Sequence, residues 1–439
     1  AKTTSSGLGY PNMPLATVPG HVDVQTEDEL RNNILSVTVD QVIQNLTGEM
    51  SSVSSVKDPA HDEIVFTGSF EDVNRLFLEN GWSDGLPIVP PTKEKIAAFL
   101  AFTERPADHV IGKLLPDNRL ATVWNVAVNG VMAGCRPEYM PILVALAEAM
   151  ADPQYGVEHS GNTPGAETLI VLDGPLVREL DFNFEQGALR DGFQANTSIG
   201  RFWRLYLRNV AGFLLHQNDK GTFGGTWRVV LAENEASLAK MNWPSVAGDA
   251  GIPKTESAVT ISRFTGGNVI VSVFGDSAEK CLPYLADAIV THTTWELIFT
   301  VGMTNGTYRP LLVLSPLIAE TIARSGFSKR DVQQWLFEHA RMPAWRFERY
   351  IWGWTNLVPG KRSLNDFARL GKAPKEYIGN DPNRLVPVVT KPEHIMIAVS
   401  GDPMRSNCFI FVHNGMLGFP TTKRVALPAD WRAKLRALD

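Results

Sequence analysis

The chain has 439 residues, of which 44% are apolar and 20% charged, a balance typical of proteins with large buried cores and not of disordered ones. Its formal net charge of −6 provides no positive excess to neutralise phosphates, which argues against nucleic acid or an anionic membrane as the main partner. No run approaches the roughly 18 apolar residues that a membrane-spanning helix needs, so a soluble protein is expected.

Residues 1–47 are predicted to form an N-terminal arm, and the serine-rich, polar residues 48–65 a linker. Apolar positions from Thr26 to Leu46 approximate helical spacing, with a break expected near residues 36–39. An arm this small cannot bury its own core, so we expect it to pack on a neighbour. The first five residues lack the apolar segment of a secretory signal, which favours a cytoplasmic protein.

Residues 66–315 are predicted to form the main α/β domain, and residues 316–439 a helical hairpin followed by a C-terminal α/β segment. Helices are expected over residues 70–80, 93–102, 119–132, 137–151, 198–210, 278–291 and 328–341. Apolar runs of strand length occupy residues 169–172, 227–231, 258–261, 269–274, 311–314 and 395–399. This alternation predicts an α/β or α+β architecture of layered mixed sheets with helices.

Cys135 is the most informative of the three cysteines. Pro137 suits the first position of a helix, so the thiol would lie just before a helix N-terminus and beside Arg136. Both features favour the thiolate, the nucleophilic or metal-binding form. The alternative is a small buried side chain in a tight turn. Cys281 and Cys408 are expected to be structural, and an odd count without CxxC spacing suits a reducing compartment.

A second helix entrance begins near Asn196, where Asn196, Thr197 and Ser198 follow one another. Such an end exposes backbone amides and binds anions readily. Arg201, Arg204 and Arg208 follow at spacings of three and four on one side of this helix. They would hold a carboxylate or phosphate, or else form ion pairs on a solvated face.

Two loops carry further candidates. Lys220 begins a glycine-rich turn that precedes a strand, so the order strand, loop, helix of a phosphate-binding loop is absent. This turn has two possible roles. Its backbone could approach a ligand closely, or it could be a plain hairpin-type turn. His159 lies in a polar loop and is the best titratable candidate, against the alternative of a solvent-exposed histidine. No two histidines show HxxxH or HxH spacing, so no metal site is predicted and the cofactor is left unspecified.

Residues 317–341 read as a helix, a glycine turn, a Ser328 cap and a second helix. This layout resembles a DNA-reading helix-turn-helix, but the acidic chain favours a structural αα-hairpin. An aromatic stretch follows and is expected to form a packing or subunit surface. It comprises Trp345, Phe347, Tyr350, Trp352 and Trp354.

Three segments resemble the large domain associated with the UGSC-motif (seleno)protein family: Gly81 to Thr92 (GWSDGLPIVPPT), Val128 to Pro141 (VNGVMAGCRPEYMP) and Ala195 to Arg201 (ANTSIGR). Shorter matches at Ala232–Glu235 and Gly326–Val332 extend the likeness over about residues 66–439. The resemblance marks the surroundings of Asp84, Cys135 to Glu138 and Asn196 to Ser198 as a pocket.

The sequence departs from that family in three places. No cysteine precedes Cys135, so the redox motif itself is absent, although the arm resembles the end of the smaller domain that bears it. The resemblance therefore implies that a reactive chalcogen comes from another polypeptide or is dispensed with. Asn162-Thr163-Pro164 replaces a Thr-His-Pro loop, and Arg405-Ser406-Asn407 replaces a Lys-His-Ser stretch, which implies altered chemistry.

From these observations we expect a subunit of a cytoplasmic enzyme that acts on a small anionic organic molecule by lyase-type or redox chemistry. The candidate catalytic residues are Cys135, Glu138 and His159, and the candidate substrate-binding residues are Asp84, Arg136, Asn196, Thr197, Ser198 and Lys220. The alternative is a non-catalytic subunit that docks and positions a separate redox-active subunit. In either case a homo-oligomer, or a hetero-oligomer with a companion subunit, is expected.

Overall fold

The computed structural model describes residues 5, 10, 12–21, 24–48, 62–225, 227–352 and 363–438. The fold is mixed α/β, as predicted: one curled, seven-stranded sheet carries helices on its outer faces, with two small two-stranded sheets beside it. Within the described residues, no helix is both long and apolar enough to cross a membrane.

The arm is one continuous helix preceded by an extended segment. It comprises α1 (Glu27–Asn33), a π-helical turn (Ile34–Thr38) and α2 (Val39–Thr47). Thr26 begins it with a capping box, in which its hydroxyl accepts from the Glu29 amide and the Glu29 carboxylate accepts in return. The break predicted near residues 36–39 is this π-helical turn, which changes the helical phase without ending the helix.

The next elements form a helical layer. They are α3 (Phe70–Glu79), α4 (Lys93–Leu100), the hairpin β1 (Val110–Leu114) and β2 (Arg119–Thr122), α5 (Val123–Ala133) and α6 (Met140–Ala151). The hydroxyls of Ser69 and Thr92 cap α3 and α4 at the starts of the helices predicted over residues 70–80 and 93–102. The helix predicted from residue 119 begins at Val123 instead, because residues 119–122 pair with β1 and Thr122 caps α5.

The remaining strands are β3 (Glu167–Asp173), β4 (Val230–Ala232), β5 (Ala258–Ile270), β6 (Leu311–Leu314), β7 (Arg341–Pro343), β8 (Leu385–Pro387), β9 (Met396–Val399), β10 (Cys408–His413) and β11 (Thr421–Arg424). The main sheet has the order β4-β3-β5-β10-β6-β9, and β11 pairs with the first residues of β5. The pairs β3–β4 and β6–β9 are parallel, and the other pairs are antiparallel. The strands predicted at residues 258–261 and 269–274 are parts of a single long strand, β5, which ends at Ile270 and on which β10 and β11 pair in succession.

The two edges of this sheet meet, which closes it into a barrel-like curl. The Asn234 amide donates to the Val399 carbonyl over 2.8 Å, and the Ser400 hydroxyl donates to the Ala232 carbonyl, also over 2.8 Å. An inner apolar core fills the curl, from Leu169, Val171, Leu231, Phe264, Leu311, Val313, Ala398 and Phe411. Joining the edges removes unpaired strand edges that would otherwise recruit other chains.

The helices after β3 are α7 (Leu176–Glu179), α8 (Gln194–Asn209), α9 (Glu235–Met241), α10 (Val246–Asp249), α11 (Ala278–His292), α12 (Pro316–Arg324), α13 (Lys329–His339), α14 (Ala344–Ile351), α15 (Leu364–Arg369) and α16 (Trp431–Arg436). The hairpin of α12 and α13 is present, with Ser328 and Asp331 forming a capping box. Residues 316–439 supply three strands of the main sheet, so the boundary predicted at 315/316 falls inside one sheet.

Candidate functional site

Cys135 follows the end of α5, where Gly134 adopts a left-handed conformation with φ of +81°. A short 3-10 turn at Pro137–Tyr139 then leads into α6, so the thiol lies before a helix N-terminus, as predicted. Its thiol is hydrogen-bonded to the Ser198 hydroxyl, and the Gln194 side-chain amide donates to the Gly134 carbonyl over 3.3 Å. The two helix entrances singled out in the sequence therefore lie together.

The lowered thiol pKa expected at Cys135 is not what this arrangement produces. Burial raises the pKa of Cys135 to about 12, and the Ser198 hydroxyl and the charge of Arg201 offset only part of that rise. In the folded chain the thiol is therefore protonated at neutral pH, because removing it from water penalises the thiolate more than nearby dipoles favour it.

This buried state predicts low thiol reactivity. All three cysteines are buried, and burial raises the pKa of each. We expect no rapid reaction of the folded protein with 5,5′-dithiobis(2-nitrobenzoate) at pH 8, and three reactive thiols after denaturation. A thiol that reacts within seconds in the folded protein, and that is absent from the Cys135→Ser variant, would instead support the predicted role of Cys135 as a nucleophile.

The polar side chains at the start of α8 are engaged within the fold. The Asn196 amide nitrogen donates to the carbonyls of Asn183 and Val230 over 2.9 and 2.8 Å, and its oxygen accepts from the Asn183 amide. The Thr197 hydroxyl accepts from the Gly192 amide, and the Ser198 hydroxyl donates to the Gln194 carbonyl. Asn196 thus uses both of its N–H groups internally and has none left for an oxyanion.

Asp84 anchors the Asp-Gly turn on α8. The Arg201 guanidinium donates two hydrogen bonds of 2.8 and 3.0 Å to the Asp84 carboxylate, and the Arg228 guanidinium lies 3.7 Å from the same carboxylate. Burial alone would raise the pKa of Asp84, but the two arginines outweigh it and lower the pKa. This paired, bidentate geometry favours a structural role for Asp84 and Arg201 over substrate binding.

Arg136 and Glu138, next to the thiol, form an ion pair with each other. The Arg136 guanidinium also lies 5.1 Å from the centre of the Tyr139 ring. The Arg136 side chain is 40% exposed, whereas the Glu138 carboxylate is almost fully buried. Arg136 therefore presents a partly exposed cationic group beside Cys135, already paired with the Glu138 carboxylate.

The glycine-rich turn at Lys220 packs against the loop of residues 161–165. The amides of Lys220, Thr222 and Gly225 donate to carbonyls of that loop over 2.8 to 3.1 Å. A Cβ on Gly165 would lie 2.7 Å from the Gly224 nitrogen. The glycines are therefore explained by close approach of two backbone segments, while the Lys220 side chain is exposed to solvent.

His159 belongs to a different cluster from Cys135. It ends the 3-10 turn Val157–His159, is half-buried, and lies beside Gly156, whose carbonyl accepts from the fully buried Arg263. Burial, with the nearby charge of Arg263, lowers the pKa of His159, although Glu158 opposes this. The neutral imidazole is therefore favoured at pH 7.

A concave feature of the described residues lies against α5. It is a cavity of about 800 Å³ between α3, α5, the first turn of α4 and the extended segment 62–68, and we call it the α3–α5 cavity. Its apolar walls come from Phe70, Val73, Phe77, Trp82, Val89, Trp124, Val128 and Met132. Cys135, Glu138 and His159 are not part of its lining.

Polar groups stand at two places in the α3–α5 cavity. Asn129 and Asn209 lie in its wall, where the Asn209 amide donates to Asn129 over 2.9 Å and to the Trp82 carbonyl over 3.1 Å. Its rim carries Lys93 and Lys95 beside the carboxylates of Asp62, Glu63 and Glu94. An apolar chamber with a few fixed polar groups is the usual form of a small-molecule site.

A pair of buried carboxyl groups was missed in the sequence. Asp173 is the last residue of β3 and Glu233 directly follows the parallel strand β4, so a carboxyl group at the end of each of two buried strands was the available signal. Glu233 accepts from the Val246 and Val399 amides over 2.6 and 2.8 Å. Burial first, and then Glu233, raises the pKa of Asp173 well above its usual value, which favours a proton shared between the Asp173 and Glu233 carboxyl groups.

Within the described ranges, no group of three or more His, Cys, Asp or Glu side chains is placed to hold a metal ion. Comparisons of this chain with protein-family models, with curated proteins and with solved structures found no match.

Proposed function

We propose that this chain is the ligand-binding subunit of an enzyme and that it holds a small organic molecule, with an apolar body and an acidic group, in the α3–α5 cavity. The observation that carries the proposal is the cavity itself, whose volume of about 800 Å³ suits such a ligand. The predicted site around Cys135 offers less support, because its thiol is protonated and most of its polar side chains already have partners.

Two lysines at the rim, which stand beside three carboxylates, are the groups that would bind the acidic group of the ligand. Lys93 and Lys95 lie in the first turn of α4, whose backbone amides and dipole favour negative charge. Lys93 reaches Asp62 only over 3.4 Å, with both side chains about half exposed, so an anion that enters can displace this weak pair. The ligand would then place its acidic group at the rim and its apolar body against α5.

Two fluorescent probes that differ in charge test this arrangement. The anionic 8-anilinonaphthalene-1-sulfonate and the neutral N-phenyl-1-naphthylamine both brighten in apolar sites. Val128→Trp should fill the cavity and weaken binding of both probes about tenfold or more, or roughly 1.4 kcal/mol. The double variant Lys93→Glu with Lys95→Glu should weaken binding of the anionic probe only, and this loss of affinity should be smaller at high salt.

The matched control is Val269→Trp, which makes the same change at an exposed position at the end of β5. It should leave both affinities unchanged. Equal binding by the Val128→Trp and Val269→Trp proteins would show that the probes do not occupy the cavity, and the proposal would then fail.

A second candidate, a subunit that docks and positions a redox-active partner, has one observation in its favour. Of the predicted aromatic surface, Trp345 and Trp352 are exposed, Tyr350 is partly buried, Phe347 is buried in the core and Trp354 lies outside the described residues. Exposed tryptophans are favoured anchors of interfaces. Retention of a companion polypeptide by the native chain, lost in Trp345→Ala with Trp352→Ala, would support this role; turnover by the isolated chain would argue against it.

A further inference from the structure

The arm helix carries an exposed apolar seam. Four side chains form it, at successive spacings of four, three and four residues: Leu35, Val39, Val42 and Leu46. Their exposed fractions run from 37% at Val39 to 81% at Leu46, and no residue of α1, the π-helical turn or α2 is buried. Val39, Val42 and Leu46 in α2 have the a and d spacing by which one helix packs against another, and Leu35 precedes them in the π-helical turn.

The opposite side of the arm helix is already occupied. The Thr17 amide donates to the Gln41 side chain over 2.8 Å, and the Thr38 hydroxyl donates to the Thr17 carbonyl over 2.9 Å. The Asn33 side chain donates to the Pro19 carbonyl over 3.3 Å. The segment of residues 12–21 thus contacts the side of the helix that carries Asn33 and Gln41, reaches Thr38 at the border of the seam, and leaves the four seam side chains exposed.

We propose that the seam is the dimerisation surface of this protein, and that its occupant is the arm helix of a second copy, packed seam against seam. An a and d seam is complementary to a helix with the same spacing, and the chain itself provides one. A twofold pairing of identical surfaces is also the commonest form of closed assembly.

The residues that flank the seam agree with self-pairing. The four positions beside it, Ser36, Thr38, Ile43 and Asn45, are all uncharged. Two identical helices can therefore approach without the repulsion that like charges at flanking positions produce. A seam of twelve residues is about 18 Å long, which is too short for a stable isolated helix, so each arm gains order from its partner.

The charges of the arm helix argue against a membrane as the occupant. A helix that lies on an anionic lipid surface usually carries Lys and Arg on its polar face. Between Glu27 and Thr47 the only basic residue is Arg31, against the acidic Glu27, Asp28, Glu29 and Asp40. A second copy of the chain fits this helix better than a lipid surface does.

Sedimentation velocity on the full chain tests the proposal. At micromolar concentration the native protein should sediment with twice the monomer mass of 48.3 kDa. Val39→Lys with Val42→Lys places charge in the seam and should raise the dissociation constant at least tenfold, so that monomer dominates. Gln44→Lys with Thr47→Lys adds the same charge away from the seam and should leave the dimer intact.

A variant that strengthens the dimer provides a second test, because misfolding could explain a lost dimer but not a tighter one. Val42→Leu adds apolar volume to the seam and should tighten the dimer several-fold. The proposal is overturned by a native protein that is monomeric at every concentration, by a dimer that persists unchanged in the lysine variant, or by native monomer that binds anionic phosphatidylserine vesicles through the arm.

Discussion

Replacing Glu233 by glutamine is expected to lower the free energy of unfolding by about 3 kcal/mol. Both carboxylate oxygens of Glu233 accept backbone amides, from Val246 at the start of α10 and from Val399 in β9. Glutamine keeps the shape but replaces one oxygen with an NH₂ group, so a buried donor would face a buried donor. Urea denaturation followed by circular dichroism measures the loss.

Asp173→Asn provides the matched control, because it makes the same chemical change in the partner carboxyl. The Asp173 side chain accepts from the Ala247 amide over 3.3 Å and, in its protonated form, donates to Glu233. Asparagine reproduces both roles without needing a proton. We expect this variant to lie within about 1 kcal/mol of the native protein. A loss equal to that of Glu233→Gln would contradict the shared proton.

The shared proton also sets a pH dependence. The folded-state pKa of Asp173 is raised well above the ordinary 3.8, so the folded chain holds this proton after the unfolded chain has lost it. The stability from this group is thus fully present below about pH 3.8 and is lost as pH rises through the raised pKa. In Asp173→Asn this part of the pH dependence should disappear.

Arg204→Met is expected to destabilise the protein by about 3 kcal/mol at pH 8. Arg204 is largely buried and lies 3.2 Å from the buried carboxylate of Glu167 and 3.4 Å from Asp219. Removing the guanidinium leaves Glu167 charged, buried and without its main counterion. The midpoint of thermal unfolding, measured from pH 5 to pH 8, reports the effect.

The sign of the pH effect follows from Glu167. Burial raises the pKa of Glu167 above 4.5 despite Arg204, and removal of Arg204 would raise it further. The cost of Arg204→Met should therefore shrink as pH falls and Glu167 takes up a proton. Adding Glu167→Gln should recover most of the stability at pH 8. A cost that is independent of pH, or a double variant no better than the single one, would show that the charge is not the cause.

Elements with local signals were predicted well. The caps Ser69, Thr92 and Ser328 begin the helices that the sequence places after them, because a hydroxyl that satisfies a free amide is a local interaction. Residues 311–314 form the predicted strand, and residues 169–172 lie inside β3. Strands β10 and β11 were not predicted, and the polar β11 is held mainly by pairing with β5.

The candidate site was predicted only in part. The meeting of Cys135 with Ser198 was expected, but the ionisation of the thiol was expected in the wrong direction. The side chains at a helix N-terminus can be read from the sequence, whereas the burial of those side chains depends on segments far away in the chain. The α3–α5 cavity was missed for the same reason, since its walls combine residues 62–96 with α5 and Asn209.

By itself the sequence determined the class of fold, the helices that begin after Ser69, Thr92 and Ser328, and the helical spacing of the arm, because periodicity and capping act over a few residues. Only the tertiary structure decided which polar groups are free. Arg201 meets Asp84 across 117 positions of the chain, and Glu233 meets Val399 across 166. Such pairings remove charges and donors from solvent, and desolvation depends on everything that surrounds a group and not on its neighbours in sequence.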